Sequence, residues 1–355
     1  MKRLVPCLVV SKNRGQDAKI LLSELNILDN NLRVSINSEK IFWPLLREIT
    51  ENERIMLKDK LGDFELLYTE LEPRIGVPKS ILEALEGKLS PSQLASLPHS
   101  YDIIGDIAVL EIPPELSEQK FLIGEAILNV HKNIKVVLAK AGKVDGVTRI
   151  RKFTHLAGEN RTTTIHKEND CVFRVDLASV YFSPRLVTEH ARVASQVLPG
   201  ETVIDLFAGI GPFSIQIAKR VNARIYALDI NEAAIELLNQ NIRLNKVEGK
   251  VFPILGDSRK IIKEKLCFQA DRVIMNLPGE AENFIDVACQ AIKPEGGIIH
   301  YYTFSTTPNI KDEIIETLNR IVESNSRKVI KILNHRKVRP SAPREWQIVV
   351  DVQIK

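Results

Sequence analysis

Residues 203–218 read VIDLFAGIGPFSIQIA, and this stretch decides how the C-terminal half of the chain folds. An apolar, β-branched run ends at Asp205, Gly209 and Gly211 follow, and apolar residues then resume with helical spacing. This pattern predicts a strand, a tight glycine turn and a helix whose first N–H groups can face a ligand. The third glycine of the dinucleotide fingerprint is missing, and Pro212 removes an N–H donor that a pyrophosphate would use. The acidic strand end favours a ligand with a cationic group instead.

Three more predicted strands end in polar residues. ARIYALDIN (223–231) ends its strand at Asp229, 20 residues after Gly209, which is the separation at which an acidic residue takes ribose hydroxyls. KVFPILGD ends at Asp257, a candidate acceptor for an adenine amino group, and DRVIMNLPG ends at Asn276. Because the carboxyl ends of parallel strands open into one crevice, these residues are expected to line one site. Its expected ligand, with an ammonium group, is S-adenosylmethionine.

The composition is that of an ordinary globular protein. The chain has 355 residues, 44% of them hydrophobic and 26% charged, which is enough for two or three domains. Its four cysteines lie apart without a CxxC pair, which argues against a zinc site and against a disulfide scaffold. No apolar run reaches membrane-spanning length, so a cytoplasmic protein without a membrane partner is expected.

Positive charge is concentrated in one stretch, although the net charge is only +4. Residues 132–161 carry Lys132, Lys135, Lys140, Lys143, Arg149, Arg151, Lys152 and Arg161 against Asp145 and Glu159. Such a density predicts a phosphate-facing surface, and a solvated lysine face is the alternative.

The order of predicted elements indicates four segments. Residues 1–72 predict a small α+β module in which WPLLREI (43–49) is a helix, and residues 73–98 a linker with short helices. Residues 99–178 predict a basic α+β middle domain. Residues 179–355 alternate strands and helices as an α/β, Rossmann-like, doubly wound sheet does. The last two strands lack a helix between them, which predicts an antiparallel hairpin at the sheet edge.

The segment VYFSPRLVTEHARVA (180–194) joins the middle domain to the doubly wound domain. Its second half has helical spacing, and Arg185 and Glu189 lie four residues apart. On spacing alone, an exposed ion pair on one helix face is the favoured alternative, whereas the surrounding motifs favour functional roles for these residues.

The whole chain, from residue 1 to 355, resembles the archaeal and eukaryotic tRNA (guanine-37-N1) methyltransferases, which are class I S-adenosylmethionine-dependent enzymes. The resemblance rests on LPHSYDIIGDIAVLEIP, TIHKEN, VYFSPRL followed by Glu189, DLFAGIGPFSI, NLP and HYYTF. It implies that the middle domain binds the anticodon stem-loop and that the N-terminal module binds the outer corner of the tRNA. It also implies S-adenosylmethionine as the cofactor, no metal, and a monomer that requires no protein partner.

The resemblance implies roles for individual residues. Glu189 matches the general base that removes the proton from guanine N1. Arg149, or its neighbour Arg151, matches a guanidinium that stabilises negative charge on O6. Asn276 holds the base edge, and Tyr181 is a candidate to stack on the flipped base. The candidate substrate contacts are Tyr181, Arg185 and Pro278.

The implied cofactor contacts follow the four strand ends. They are Asp205, Phe207, Gly209, Gly211, Asp229, Ile230, Asp257, Ser258, Asn276 and His190. For His190, the position after the catalytic glutamate lies next to the cofactor in the family, and a surface histidine is the alternative.

Other functions remain open from the sequence. One relative in the wybutosine pathway transfers an aminocarboxypropyl group from the same cofactor, and there the stretch aligned to SPRL resembles S-x-G-N. Ser183-Pro184-Arg185-Leu186 therefore favours the methyltransferase. Another relative methylates both N1 of guanosine 37 and C7 of a tricyclic derivative. A tRNA-binding protein without activity is disfavoured by the complete set of polar strand ends.

Overall fold

The computed structural model describes residues 2–73, 78–98, 100–145, 150–306, 310–342 and 344–355. The chain divides into two compact units, Met1–Lys79 and Ser80–Lys355. The division into four segments stays a prediction. In the part of the chain that is described, no helix is long and apolar enough to cross a membrane.

The N-terminal unit is an antiparallel sheet with two helices. Its elements are β1 (Arg3–Ser11), α1 (Gly15–Glu24), β2 (Ser35–Ile36), β3 (Lys40–Pro44), α2 (Glu51–Leu61) and β4 (Glu65–Leu71), and the strand order is β2-β3-β1-β4. The helix predicted over 43–49 is wrong. Trp43 pairs with Leu8 in the β1–β3 ladder, and the helical start signal comes later, where Thr50 and Glu53 form a capping box.

The first half of the second unit is an α+β layer. It contains α3 (Ile81–Leu85), α4 (Pro91–Ala95), β5 (Asp102–Ile104), β6 (Ile107–Leu110), α5 (Lys120–Val130), β7 (Val136–Asp145), β8 (Ile150–Gly158), β9 (Thr163–Glu168) and β10 (Cys171–Asp176). Strands β5-β6-β7-β8 form one sheet, in which β6 and β7 are parallel, and β9 and β10 form a hairpin. The two short helices are present, and Leu85 of α3 packs in one core with Leu110 and Ile127.

The second half of this unit is a Rossmann-like domain. Its elements are α6 (Val187–Gln196), β11 (Thr202–Asp205), α7 (Pro212–Arg220), β12 (Arg224–Asp229), α8 (Glu232–Asn245), β13 (Val251–Leu255), α9 (Ser258–Ile261), β14 (Arg272–Met275), α10 (Ile285–Ala291), β15 (Gly297–Ser305), α11 (Ile310–Ser324), β16 (Val329–Ala342) and β17 (Glu345–Ile354). The predicted α/β fold class is confirmed.

Seven strands of this domain form one sheet in the order β13-β12-β11-β14-β15-β17-β16. Strands β11 to β15 are parallel to one another, whereas β17 is antiparallel to both β15 and β16. The final hairpin is present as predicted, and its second strand is inserted between β15 and the edge strand β16. The carboxyl ends of β12, β11 and β14 therefore lie side by side, and the antiparallel β17 begins at the carboxyl end of β15, where Trp346 pairs with Ser305.

Candidate active site

The turn after β11 uses its two glycines for different purposes. Both have positive φ angles, +55° at Gly209 and +91° at Gly211, which side chains rarely adopt. A Cβ on Gly211 would come within 2.4 Å of Leu238 Cδ1, the flexible end of a side chain on α8, so the φ angle is the stronger reason for glycine at this position. A Cβ on Gly209 would meet nothing within 4 Å, and the Gly209 N–H donates to Asp229 Oδ2 at 2.7 Å. Gly209 therefore leaves open space beside two strand ends.

Asp205, at the end of β11, is a buried carboxylate with one free oxygen. Its Oδ2 accepts a hydrogen bond from Ser214 Oγ at 2.9 Å, whereas among the described residues Oδ1 has no hydrogen-bond partner. Burial raises the pKa of Asp205 to about 7. A buried acceptor without a donor is costly, so this carboxylate suits a ligand that brings a cationic donor.

Asp229, at the end of β12, is held by the backbone on both oxygens. Oδ2 accepts from Gly209 N, and Oδ1 accepts from Asn231 N at 2.9 Å. Burial raises the pKa of Asp229 despite these bonds. Each oxygen keeps a second lone pair for a ligand hydroxyl, and the neighbouring Ile230 side chain is exposed.

The third predicted strand end lies at the rim of the site. Asp257 is exposed and accepts from a backbone N–H as the cap of α9. Ser258 is buried, and its Oγ donates to the carbonyl of Leu206 at 2.7 Å, which ties this end to the glycine turn. The rings of Phe207 and Phe284 make an edge-to-face contact, with centroids 4.9 Å apart.

These residues fit S-adenosylmethionine on two observations of the structure. Asp205 Oδ1 is a buried acceptor without a donor, which matches the ligand's ammonium group. The space beside Gly209 lies next to Asp229, whose fixed carboxylate matches a ribose. Phe207 and the exposed Ile230 are the apolar neighbours of these strand ends in the sequence.

Glu189 lies in the first turn of α6 and is 1% exposed. Its Oε1 accepts from Arg192 Nη2 at 2.6 Å, from Arg192 Nε at 3.0 Å and from Tyr302 Oη at 2.7 Å. Among the described residues its Oε2 has no hydrogen bond, and Arg336 Nη2 lies 3.6 Å away. The carboxylate is thus anchored by one oxygen and has the other available.

A buried chain of ionic contacts fixes Arg192. Both carboxylate oxygens of Asp351 on β17 accept from Arg192, and His300 Nδ1 lies 2.6 Å from Asp351 Oδ1. Arg272 Nη1 lies 2.9 Å from His300 Nε2 and can only donate, so the ring proton is on Nδ1 and donates to Asp351. Burial opposes ionisation of Asp351, yet the His300 and Arg192 hydrogen bonds hold its pKa below the ordinary value, and burial lowers the pKa of His300.

A second chain of hydrogen bonds joins two predicted substrate residues. Gln347 Nε2 donates to Asn276 Oδ1 at 3.0 Å, and Gln347 Oε1 accepts from Arg339 Nε at 2.8 Å. Arg339 Nη2 in turn donates to Tyr181 Oη at 3.0 Å, while Tyr181 is 44% exposed. The structure therefore brings Tyr181 and Asn276 to one end of the β16–β17 hairpin, with the half-buried Pro278 two residues beyond Asn276.

Arg185 does not pair with Glu189, so the ion pair predicted from their spacing is wrong. Arg185 lies in a 3-10 turn before α6, and its Nε donates to Asp102 Oδ1 at 2.6 Å. The Arg185 side chain is 42% exposed, whereas Glu189 points into the interior. Arg185 thereby links this segment to β5.

His190 is buried, so the alternative of a surface histidine is wrong. Its Nδ1 lies 2.8 Å from Glu168 Oε1, which also accepts from Gln216 Nε2, and its ring meets Phe213 edge-on at 4.6 Å. A carboxylate only accepts, so Nδ1 carries the proton. Burial opposes ionisation of Glu168, but hydrogen bonds from His166 and His190 lower its pKa to about 2. The contact of His190 with a cofactor stays a prediction.

The predicted O6 contact, Arg149, lies outside the described residues. The neighbouring Arg151 donates to the Gly142 carbonyl at 3.5 Å. Elsewhere in the basic stretch, Arg161 pairs with Asp106 at 2.6 Å and with Glu159 at 2.7 Å. Arg161 is therefore committed to internal contacts.

Sequence reasoning missed the residues that hold the predicted ones in place. They are Glu168, Arg192, Gln216, His300, Tyr302, Arg336, Arg339, Gln347 and Asp351. A signal existed for two of them, because HYYTF alternates along a strand and places His300 and Tyr302 on one face.

Comparison with known proteins agrees with this geometry. The model of the TRM5/TYW2 methyltransferase domain matches residues 164–330, and that of the TYW2 N-terminal domain matches residues 81–162. The tRNA (guanine(37)-N(1))-methyltransferase Trm5b of Pyrococcus abyssi is 40% identical over 97% of this chain and 98% of its own. The tRNA(Phe) (4-demethylwyosine(37)-C(7)) aminocarboxypropyltransferase of Pyrococcus horikoshii is 34% identical over 79% of this chain and 98% of its own.

A solved complex of aTrm5 and tRNALeu has 38% identity and a TM-score of 0.74, covering 98% of this chain and 99% of that one. Identity at this level along nearly the whole chain shows common ancestry as well as a common fold. The chain belongs to the TRM5/TYW2 family of S-adenosylmethionine-dependent methyltransferases.

Proposed function

We propose that this protein transfers a methyl group from S-adenosylmethionine to N1 of guanosine 37 in tRNA. The observation that carries the proposal is the Glu189 carboxylate, buried, anchored through Oε1 by Arg192 and Tyr302, and with Oε2 free of hydrogen bonds among the described residues. An N1 methyltransferase needs such a group, because guanine N1 carries a proton and is a poor nucleophile until the proton leaves.

The base proton would move from N1 to Glu189 Oε2. The electron pair left on N1 then forms the bond to the methyl carbon, and part of its charge is carried by O6 until that bond is made. Asn276, oriented by Gln347, would hold the base edge, and Tyr181, oriented by Arg339, would stack on the extruded ring. Arg149 is proposed as a donor to O6, and Arg185 and Pro278 as further substrate contacts.

S-adenosylmethionine supplies the methyl group on a sulfonium sulfur, which keeps the bonding electron pair when the methyl leaves. Asp205 would receive the ammonium group, and Asp229 would receive the ribose hydroxyls. Asp257 would accept from the adenine amino group at the exposed rim. The remaining proposed contacts are Phe207, Gly209, Gly211, Ile230, Ser258, Asn276 and His190. Positioning accounts for much of the rate, since the transfer needs the acceptor, carbon and sulfur in line.

The proposed partner is the anticodon stem-loop, bound by the middle domain (99–178), with the N-terminal module (1–72) on the outer corner of the tRNA. Residues 73–98 would join the two. The similarity along nearly the whole chain to the protein solved in the complex of aTrm5 and tRNALeu supports tRNA as the partner. We further propose that the protein is a cytoplasmic monomer.

Nucleoside mass spectrometry tests the function. The protein and S-adenosylmethionine are incubated with two unmodified tRNAs that differ only in guanosine or adenosine at position 37. 1-Methylguanosine from the first tRNA alone is the expected result, and Glu189→Gln should abolish most of it. A larger adduct on a tRNA that already carries the tricyclic base, with no 1-methylguanosine, would assign the aminocarboxypropyl transfer instead. Methylation of both the tRNA with guanosine 37 and the tRNA with the tricyclic base would assign the dual activity.

A further inference from the structure

Arg336 of β16 forms an ion pair with the available oxygen of Glu189. Its Nη2 lies 3.6 Å from Oε2, a distance that permits attraction but exceeds a hydrogen bond. The Arg336 side chain is 36% exposed, whereas Glu189 is 1% exposed. Arg336 thus connects the buried carboxylate with the protein surface.

Arg336 differs from Arg192, the other guanidinium at this carboxylate. Arg192 is 13% exposed and donates to both Glu189 and Asp351, so its donors are consumed by the protein. For Arg336, the described residues provide the single ion pair with Glu189 and no hydrogen bond. Its donors can therefore turn to a ligand without breaking a buried network.

The pair formed by Glu189 Oε2 and Arg336 Nη2 is complementary to one edge of guanine. That edge presents the N1–H donor beside the O6 acceptor, on adjacent ring atoms. A carboxylate oxygen with a guanidinium next to it presents an acceptor beside a donor, in matching order. We propose that Arg336 is a further catalytic residue, which donates a second hydrogen bond to O6, beside the one proposed for Arg149, while Glu189 takes the N1 proton. This proposal rests on the proposed function.

The charges around Arg336 balance during this step. Before proton transfer, the guanidinium faces the negative carboxylate of Glu189. After transfer to Oε2, Glu189 is neutral, and the negative charge lies on N1 and O6 of the base. The Arg336 guanidinium exchanges one anionic partner for another, so charge is stabilised where it develops.

Single-turnover kinetics at saturating tRNA and S-adenosylmethionine test the role of Arg336. Arg336→Gln should slow 1-methylguanosine formation by roughly a hundredfold, the loss typical of removing one transition-state donor. The dissociation constants of tRNA and cofactor should change little. Arg336→Lys should recover part of the rate because it keeps a charged donor. Lys331→Gln, which removes one exposed charge from the same strand, is the matched control and should behave like the wild type.

A substrate change separates contact with O6 from a structural role. A tRNA with 6-thioguanosine at position 37 replaces O6 by sulfur, a weaker acceptor. The substitution should slow the wild type more than it slows Arg336→Gln, because the variant has already lost the contact. Equal slowing of the two proteins, or an unchanged rate for Arg336→Gln on guanosine, would overturn this proposal while leaving the methyltransferase assignment intact. Absence of 1-methylguanosine with the wild type would overturn both.

Discussion

Glu189 shows how a fold can prepare one carboxylate oxygen for proton transfer. Three donors from Arg192 and Tyr302 converge on Oε1, so the side chain cannot rotate without losing them. Burial raises the pKa of the Tyr302 hydroxyl well above its ordinary value, and the neighbouring Glu189 adds to the effect. Tyr302 therefore stays a neutral donor, and Oε2 alone is left for the substrate.

Glu189→Gln keeps the size of the side chain and an acceptor for Tyr302, but removes the base. We expect the single-turnover rate to fall about 10²- to 10⁴-fold, the usual contribution of a general base. The affinity for S-adenosylhomocysteine, measured by calorimetry, should stay within about twofold, because Glu189 lies outside the proposed cofactor residues. A comparable loss of that affinity would show that Glu189 supports the pocket rather than the chemistry.

Asp205 makes cofactor binding depend on pH. Because its pKa in the folded protein is raised to about 7, the neutral form predominates below that pH, whereas a ligand's ammonium group requires the ionised form. The affinity for S-adenosylhomocysteine should therefore rise about tenfold between pH 6 and pH 8. Asp205→Asn should bind more weakly and lose this slope. A slope that survives the substitution would assign it to another group.

Titration of Asp205 also makes the stability of the folded protein depend on pH. A carboxyl group with a raised pKa stabilises the folded state most at pH values below its ordinary, unfolded value. That contribution is lost as the pH rises through about 7. Thermal unfolding of the ligand-free protein should therefore show a smaller decrease in stability from pH 5 to pH 8 in Asp205→Asn than in the wild type.

At the scale of elements, the two glycines of the turn between β11 and α7 are expected to differ, one affecting mainly stability and the other mainly cofactor binding. Gly211→Ala should lower the melting temperature by several degrees, since the new Cβ would come within 2.4 Å of Leu238 Cδ1 at a φ of +91°. Gly209→Ala should cost less stability because its Cβ enters open space, yet it should weaken cofactor binding more, because that space is part of the proposed pocket. Differential scanning fluorimetry with and without S-adenosylhomocysteine compares the two variants. The reverse order of ligand effects would contradict the assignment of the pocket.

The β16–β17 hairpin is a part of the site rather than an edge of the sheet alone. Its residues contact three side chains that sequence reasoning chose independently, namely Tyr181, Glu189 and Asn276. Family resemblance and strand position predict those three residues as part of the site. The hairpin contacts depend instead on which strand lies next to β15, and local sequence does not encode that neighbour.

For the whole molecule, the proposed catalytic residues all lie in the unit Ser80–Lys355. A protein that begins at Ser80 should therefore fold, and its rate at saturating tRNA should stay within about tenfold of the full chain. Its KM for tRNA should rise, since the N-terminal module is proposed to bind the outer corner. Circular dichroism and single-turnover assays check both. An unfolded product would show that the two units depend on each other.

Sequence patterns predicted the sheet and its polar strand ends because these follow from local periodicity and glycine placement. Asp205 and Asp229 needed only the strand–turn–helix rule. The partners of Glu189 could not be found that way. Tyr302 is 113 residues from Glu189 along the chain, and Arg192 meets Asp351 across 159 residues. Likewise, the four-residue spacing that predicted an Arg185–Glu189 pair failed, because Arg185 precedes α6 instead of lying on it.

The inserted position of β17 has a consequence for how the enzyme is made. A ribosome produces β17 after the other strands of its sheet, yet β17 separates β15 from β16 and carries Asp351 and Gln347. Until it emerges, Arg192 and His300 lack their shared carboxylate, and Asn276 lacks its donor. A nascent chain that has already completed the glycine turn can therefore hold the proposed cofactor residues in place before the contacts of the proposed base are complete. On the proposed roles, the base is fully positioned only when β17, the last strand to be synthesised, joins the sheet.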